Sequence, residues 1–264
     1  MSKASSKWHR LQIFAGQILF GVAILLLWEY SPDLFGTSTF WVSRPSIITE
    51  KGYNLLVYGS LLYDIKVTLS ETLAGLGLGC FIGIPIGFLL GRSRFLEELF
   101  EPFLLVINAL PKIAMAPLFL VWFGIGFALK VSIAFSLVVV VMILSTYLGM
   151  RTLRPELLRF GRTAGATELQ LLSKIIVPSI TPWLFSGLKV SLGFALIGAI
   201  LGEFMAAQGG VGYLIDNAIG TFETPEVFVG LFVLLFLSML MNSSIDYLRG
   251  LVSYESKSTP PRAT

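Results

Sequence analysis

The chain has 264 residues, 55% of them hydrophobic and 13% charged, with a formal net charge of +3. Mean hydropathy is +0.81, and a soluble domain carries about 25% charged residues, so the composition describes a polytopic membrane protein, whose +3 charge reflects where loops sit against the bilayer and says nothing about nucleic acid. A single cysteine, Cys80, and a single histidine, His9, leave no disulfide framework and no Cys/His metal site.

Six stretches reach the roughly 20 apolar residues needed to cross about 30 Å of hydrocarbon. They lie at about 11–29, 65–91, 97–122, 128–150, 183–206 and 226–248. The first follows Lys3, Lys7 and Arg10 with the charge order of a signal sequence. It is long for a cleaved core and no small-x-small site follows, so it reads as an uncleaved span. The loop from Tyr30 to Asp64 contains a mixed segment, Pro45 to Leu62, that reads as an interfacial helix or as an ordered loop without a role.

In the second span Gly75, Gly79, Gly83, Gly87 and Gly91 recur every four residues. Small residues at that spacing let helix backbones approach closely. Packing is the favoured reading, with a sliding or path-lining face as the other. Pro85 predicts a kink in the same helix. The third span holds Pro102, Pro111 and Pro117. The last two remove backbone donors at depth, so a broken span facing the protein interior is expected.

Glu71, Lys112, Lys189 and Glu203 are ionisable residues in or near spans, where a charge costs roughly 2.5–3.5 kcal/mol on insertion scales. Lys112, beside Pro111, attracts an anion or pairs with a carboxylate such as Glu203. With Asn108 and Met115 these two are the candidate translocation-path residues. Lys189 is read as snorkelling, Glu71 as a satisfied structural group, and Asn108 and Asn242 as helix bridges. HExxH, GxSxG and GxxxxGK[ST] motifs are absent, so no catalytic residue is nominated.

Placing the amino terminus inside puts thirteen of the nineteen Lys and Arg residues on the inner side, as the positive-inside rule requires. Both termini and the basic segment Arg151–Pro182 are then cytoplasmic. That segment carries Arg151, Arg154, Arg159, Arg162 and Lys174. Thr167 to Lys174 can form two helical turns, with Thr167 as cap and Leu169, Leu171 and Leu172 as apolar knobs. Pro178 and Pro182 close it before the next span. Such a helix docks into a groove on a partner or lies on anionic lipid.

Gly165, Ile175 and Pro178 resemble the G-x9-I-x-V-P cytoplasmic loop of the permease subunits of binding-protein-dependent ABC importers. The Glu-Ala-Ala start of that loop is replaced here by Arg159, Phe160 and Gly161. LPKIAMAPLFLVWFGIG (Leu110–Gly126), GEFMAAQGGVGYLI (Gly202–Ile215) and the segment from Arg44 to Leu69 are similar to the branch that imports nitrate, sulfonates, taurine and bicarbonate. The resemblance covers roughly Arg44 to Asp246.

The resemblance implies an all-α, type I importer permease fold of about six spans. It implies one permease domain over 1–264, with a peripheral first helix at about 11–29, a core at about 65–248 and a coupling loop at about 151–182. It also implies a bacterial inner-membrane location, a second permease copy, a solute-binding protein, and two cytoplasmic ATPase subunits that carry ATP and Mg, none of which this chain binds. In that reading Arg162, Gly165, Ala166, Thr167, Leu169, Leu172, Ile175 and Pro178 couple to the ATPases, and the solute is small and anionic. The competing readings are a stand-alone secondary transporter or channel, for which neither internal repeats nor a charged relay is visible, and a membrane enzyme, for which no nucleophile can be named.

Overall fold

The computed structural model describes the backbone of residues 3–36, 41–206 and 208–252, and the side chains of these except 3–11, 35 and 252. The amino-terminal Lys3, Lys7, His9 and Arg10 side chains, and Lys257 and Arg262, lie outside the described residues. Among the described residues every regular element is helical. The chain forms α1 (Lys3–Phe35), α2 (Pro45–Val57), α3 (Leu61–Arg92), α4 (Arg94–Ala109), α5 (Ala116–Phe123), α6 (Phe127–Arg151), α7 (Pro155–Thr163), α8 (Glu168–Leu171), α9 (Val177–Ala206), α10 (Val211–Gly220) and α11 (Thr224–Val252). Five helices are long and apolar enough to cross a membrane, and the α4–α5 pair passes the same test only with its two bent halves taken together.

These helices divide into two compact units, residues 1–62 with 214–233, and residues 63–213 with 234–264. In the first unit α1 is apolar all round and buries none of its spanning stretch. It meets α11 through Trp28, whose ring lies 5.5 Å from Phe228 and 6.0 Å from Phe232. The segment Pro45–Val57 is a helix, started by Pro45 at its first turn, where a missing donor costs nothing. Glu29 holds that start by accepting from the Ser46 amide at 3.0 Å and the Ser46 hydroxyl at 2.6 Å. Lys51 ties α2 to α11 through Glu226 at 2.9 Å and Glu223 at 3.4 Å. The hydrogen bond to Glu226 holds the Lys51 ammonium above its usual range.

In the second unit α6 is the central helix. Leu129, Ile133, Ala134, Val138 and Met142 along it are buried. The glycines of α3 explain how close its neighbour comes. A Cβ built on Gly75, Gly79, Gly83, Gly87 or Gly91 would overlap Ala134, Val138, Met142, Thr146 or Met150 of α6, respectively, whereas one on Gly77 meets nothing. On the opposite flank α9 repeats the device, with Gly187 against Ser145 and Gly198 against Ala134. Ala134 is thus the crossing point of three backbones. Leu76, Val138, Met142, Leu192, Ala195, Met241 and Ile245 complete the core shared by α3, α6, α9 and α11.

The second span runs as one helix with Pro85 inside it. One expectation changes. Pro178 and Pro182 do not precede the fifth span but lie inside a helical run from Glu168 to Ala206. A π-turn over Leu172–Ile176 accommodates Pro178. The Val177 amide reaches back to the Leu172 carbonyl, and the widened turn relieves the clash that proline imposes on the preceding turn. The expected break in the third stretch is present, its halves meeting at 77°. α4 buries no residue within this chain, while α5 packs on α6 through Ala116, Leu129 and Ile133. At the break Lys112 N–H donates to Leu110 O and Ala114 N–H to Pro111 O, both at 2.8 Å.

Candidate functional site

The basic segment folds as two short helices joined by a tight turn. At the end of α7 the Ala166 amide donates to Gly161 O, and the Gly165 amide to Arg162 O, both at 3.0 Å. This is the Schellman arrangement, which needs a residue in the left-handed region after the helix. Gly165 supplies it with φ +78°. Two residues on, Thr167 opens α8 with a capping box. Its hydroxyl accepts from Gln170 N at 3.3 Å, and its own amide donates to Gln170 Oε1 at 2.9 Å. The chain therefore leaves α7 and enters α8 with most of its free backbone groups satisfied.

Side chains then fix the pair. Gly161 is buried in α7, and a Cβ there would press on Leu171 Cδ2 and Ile175 Cδ1. A small residue at this position lets α7 and α8 touch. Leu171 is 1% exposed and belongs to the chain's own core, so it is not an outward knob. Leu172 packs beneath on Ile176 and Ile180. Leu169 and Phe160 project, each 73% exposed. Glu168 accepts from Arg92 at 2.7 Å and pairs with Arg162 at 3.3 Å, linking the end of α3 to both helices. Ala166 and Ile175 are half-buried and Pro178 is exposed. The first residue of the segment, Arg151, pairs with Glu97 of α4, whose carboxylate also accepts from the Tyr147 hydroxyl at 2.6 Å.

The broken span holds the first candidate path residues. Lys112 and Met115 line a cavity of about 300 Å³ with Phe119, Phe135, Ser132 and Ser136. Among the described residues no carboxylate lies within ion-pairing distance of Lys112. Asn108 lines a separate cavity of about 200 Å³, beside Glu97, Glu101 and Tyr147. The structure does not bring Glu203 to Lys112. Lys189 pairs with Asp246 of α11 at 2.5 Å instead of extending alone, and the Asn242 amide bonds Ser238 O of its own helix.

Glu203 sits in a buried polar cluster that the sequence reading did not assemble. Lys130, at the start of α6, donates to Glu71 Oε1 at 2.6 Å. Glu203 accepts from the Thr68 hydroxyl at 2.7 Å through Oε1 and from Gly212 N–H at 2.6 Å through Oε2. Asp64 accepts from Gly210 N–H at 2.9 Å, and Thr68 from Val211 N–H at 2.8 Å. Three successive amides at the start of α10 are thereby capped by side chains of α3 and α9. The glycines are what admit these caps. Gly210 has φ +115°, and a Cβ on Gly210 or Gly212 would overlap the Glu203 carboxylate. The signal available in the sequence was the run Gly209-Gly210-Val211-Gly212 soon after a lone buried acid.

The family described as "Binding-protein-dependent transport system inner membrane component" matches residues 83–254, more than half of the chain. The chain belongs to this family. The permease is 33% identical over 218 residues to the riboflavin transport system permease protein RibX of Chloroflexus aurantiacus, a match covering 83% of this chain and 81% of that protein. It is 27% identical over 231 residues to the putative aliphatic sulfonates transport permease protein SsuC of Bacillus subtilis, covering 88% and 84%. Its fold is that of a chain of the MetNI methionine ABC transporter in an inward-facing conformation, with TM-score 0.63 at 22% identity over 73% of this chain and 96% of that one. The protein is a multi-pass, inner-membrane permease subunit of an ABC importer, a transport subunit whose family works with ATPase and solute-binding partners.

Proposed function

We propose that this permease imports a small anionic solute as one of two identical copies, driven by two cytoplasmic ATPase subunits that bind ATP and Mg. The α7–α8 turn is the coupling element, and both chain termini share its cytoplasmic side. The observation that carries this reading is the turn itself. Its backbone is closed by the Schellman bonds and the capping box, yet Leu169 and Phe160 stay exposed at its surface. A rigid knob of this kind transmits a push from a partner's groove, whereas a helix resting on lipid needs neither a closed turn nor ion pairs to α3. The excess of Lys and Arg on one side supports the orientation.

The anionic solute is supported by Lys112, a cationic residue at a backbone break whose side chain lines a largely apolar cavity. Relatives are named for riboflavin and for aliphatic sulfonates, so relationship alone does not choose the solute. Purified permease and its cognate ATPase, reconstituted in liposomes with the solute-binding protein, test the reading. Uptake is expected only with ATPase and ATP, and uptake by the permease alone refutes it. Lys112→Met is expected to weaken anion uptake by about tenfold or more, the worth of one charge-assisted hydrogen bond. Unchanged apparent affinity removes Lys112 from the path.

A further inference from the structure

At the centre of the cluster Glu71, Glu203 and Lys130 put two acids beside one base, all shut away from solvent, with the buried Asp64 capping Gly210 next to them. Glu71 and Glu203 are each 1% exposed and Lys130 is 5% exposed. Thr68 and Glu71 are one turn apart on α3, so they share a face, and Thr68 bonds Glu203. The Glu71 and Glu203 side chains are within hydrogen-bonding reach of each other. Every carboxyl oxygen of the pair has a donor except one. Glu203 Oε1 has Thr68, Glu203 Oε2 has Gly212 N–H, and Glu71 Oε1 has Lys130. Glu71 Oε2 is buried with no partner.

An orphaned carboxylate oxygen beside a second carboxylate is costly twice over. The acceptor is unsatisfied, and Glu71 and Glu203 set two negative charges against the one of Lys130 in a region that disfavours net charge. One proton corrects both faults. We propose that Glu71 and Glu203 form a proton-binding site, in which a neutral Glu203 carboxyl donates to Glu71 Oε2 and thereby locks the Gly210–Gly212 turn onto α3 and α9. With that proton in place Glu71 remains ionised and paired with Lys130, and the Glu71–Lys130–Glu203 trio is neutral. Losing the proton leaves two adjacent anions, one of which also holds the Gly212 amide. Repulsion then falls on the caps of α10.

The site has a route for exchange. A cavity of about 280 Å³ is lined by Tyr63, Glu71, Lys130, Gln208 and Gly209. The titratable and charged groups facing the pair are Tyr63 and Asp64 from α3 and Lys130 from α6. Among the described residues the Gln208–Gly212 turn adds backbone amides and no charge. The proposal concerns this latch and does not depend on which solute is carried.

The test uses the full-length permease in lipid nanodiscs. Infrared spectroscopy reads the C=O stretch of a protonated carboxyl, and hydrogen exchange reads the amides of the Gly210–Gly212 turn. The wild type is expected to show a protonated carboxyl at neutral pH. Protection of the turn, corrected for intrinsic exchange, is expected to fall about tenfold per pH unit above the ordinary carboxylate range, while the closed site still holds the proton and the opened one does not, and to level off once the closed site releases it, the linkage of a single proton. Glu203→Gln keeps the donor and cannot ionise, so it should lose the band and make protection independent of pH. Glu71→Gln leaves one acid for Lys130 and should also lose the band, while Asp64→Asn should keep it. A band that survives both glutamine variants overturns the proposal, as does pH-independent protection in the wild type. So does a Glu203→Gln variant that fails to fold, since it mimics the proposed neutral state. Sodium restoring protection at alkaline pH also overturns it, by showing a metal cation in place of the proton.

Discussion

Replacing Gly165 by alanine isolates a purely conformational cost. The residue sits at φ +78°, and a Cβ there would meet nothing within 4 Å. No clash with neighbours confuses the result, and the penalty is that of placing an L-residue in the left-handed region, roughly 1–2 kcal/mol. That corresponds to about a 5–30-fold shift away from the closed α7–α8 turn. Asparagine tolerates this region better, so Gly165→Asn should retain more of the turn than Gly165→Ala. Proline cannot adopt a positive φ at all and lacks the amide that bonds Arg162 O, so Gly165→Pro should lose the turn. The assay is a binding titration of the cognate ATPase against full-length permease in nanodiscs. Affinity should fall in the order Gly, Asn, Ala, Pro, with membrane insertion unchanged. If alanine binds like glycine, or asparagine is as poor as alanine, preorganisation of this turn is not what the partner reads.

Two further substitutions in the same element separate docking from folding. Leu169→Asp changes an exposed side chain and should abolish ATPase copurification while the permease remains folded, whereas Leu171→Asp puts a charge into the core and should lower yield and thermal stability before any partner is added. In the glycine stripe, Gly79→Leu drives a side chain into Val138 and should destabilise the bundle by about 1–3 kcal/mol. Gly77→Leu, two residues away on the open face, should leave thermal unfolding in detergent unchanged, and equal effects of the two would remove the packing explanation.

The sequence carried much of the fold because hydrophobic length and proline placement are local signals. The span lengths, the break at Pro111 and the cap at Thr167 could all be read without knowing which helices meet. Glycine periodicity also named the face of α3 that packs, though not its partner. What stayed hidden depends on distant contacts. Lys130 begins its helix, where a cation reads as an interfacial anchor, and its partner Glu71 is 59 residues away in sequence. Leu171 and Leu169 look equivalent as knobs until the tilt of α8 against Gly161 decides which is buried. Pro178 looks like a stop signal, and only the π-turn before it lets the helix run on.

That uninterrupted run gives the molecule a mechanical property. Glu168 and Glu203 lie on one helical rod, 35 residues apart, which at 1.5 Å per residue is roughly 50 Å. One end is pinned by Arg92 and Arg162, and the other by Thr68 and Gly212. A stiff shaft held at both ends carries a displacement along its length instead of dissipating it in a hinge, with the π-turn as its one compliant joint. A displacement of the exposed Leu169 end would thereby reach the carboxyl that caps α10 at the other end of the same rod.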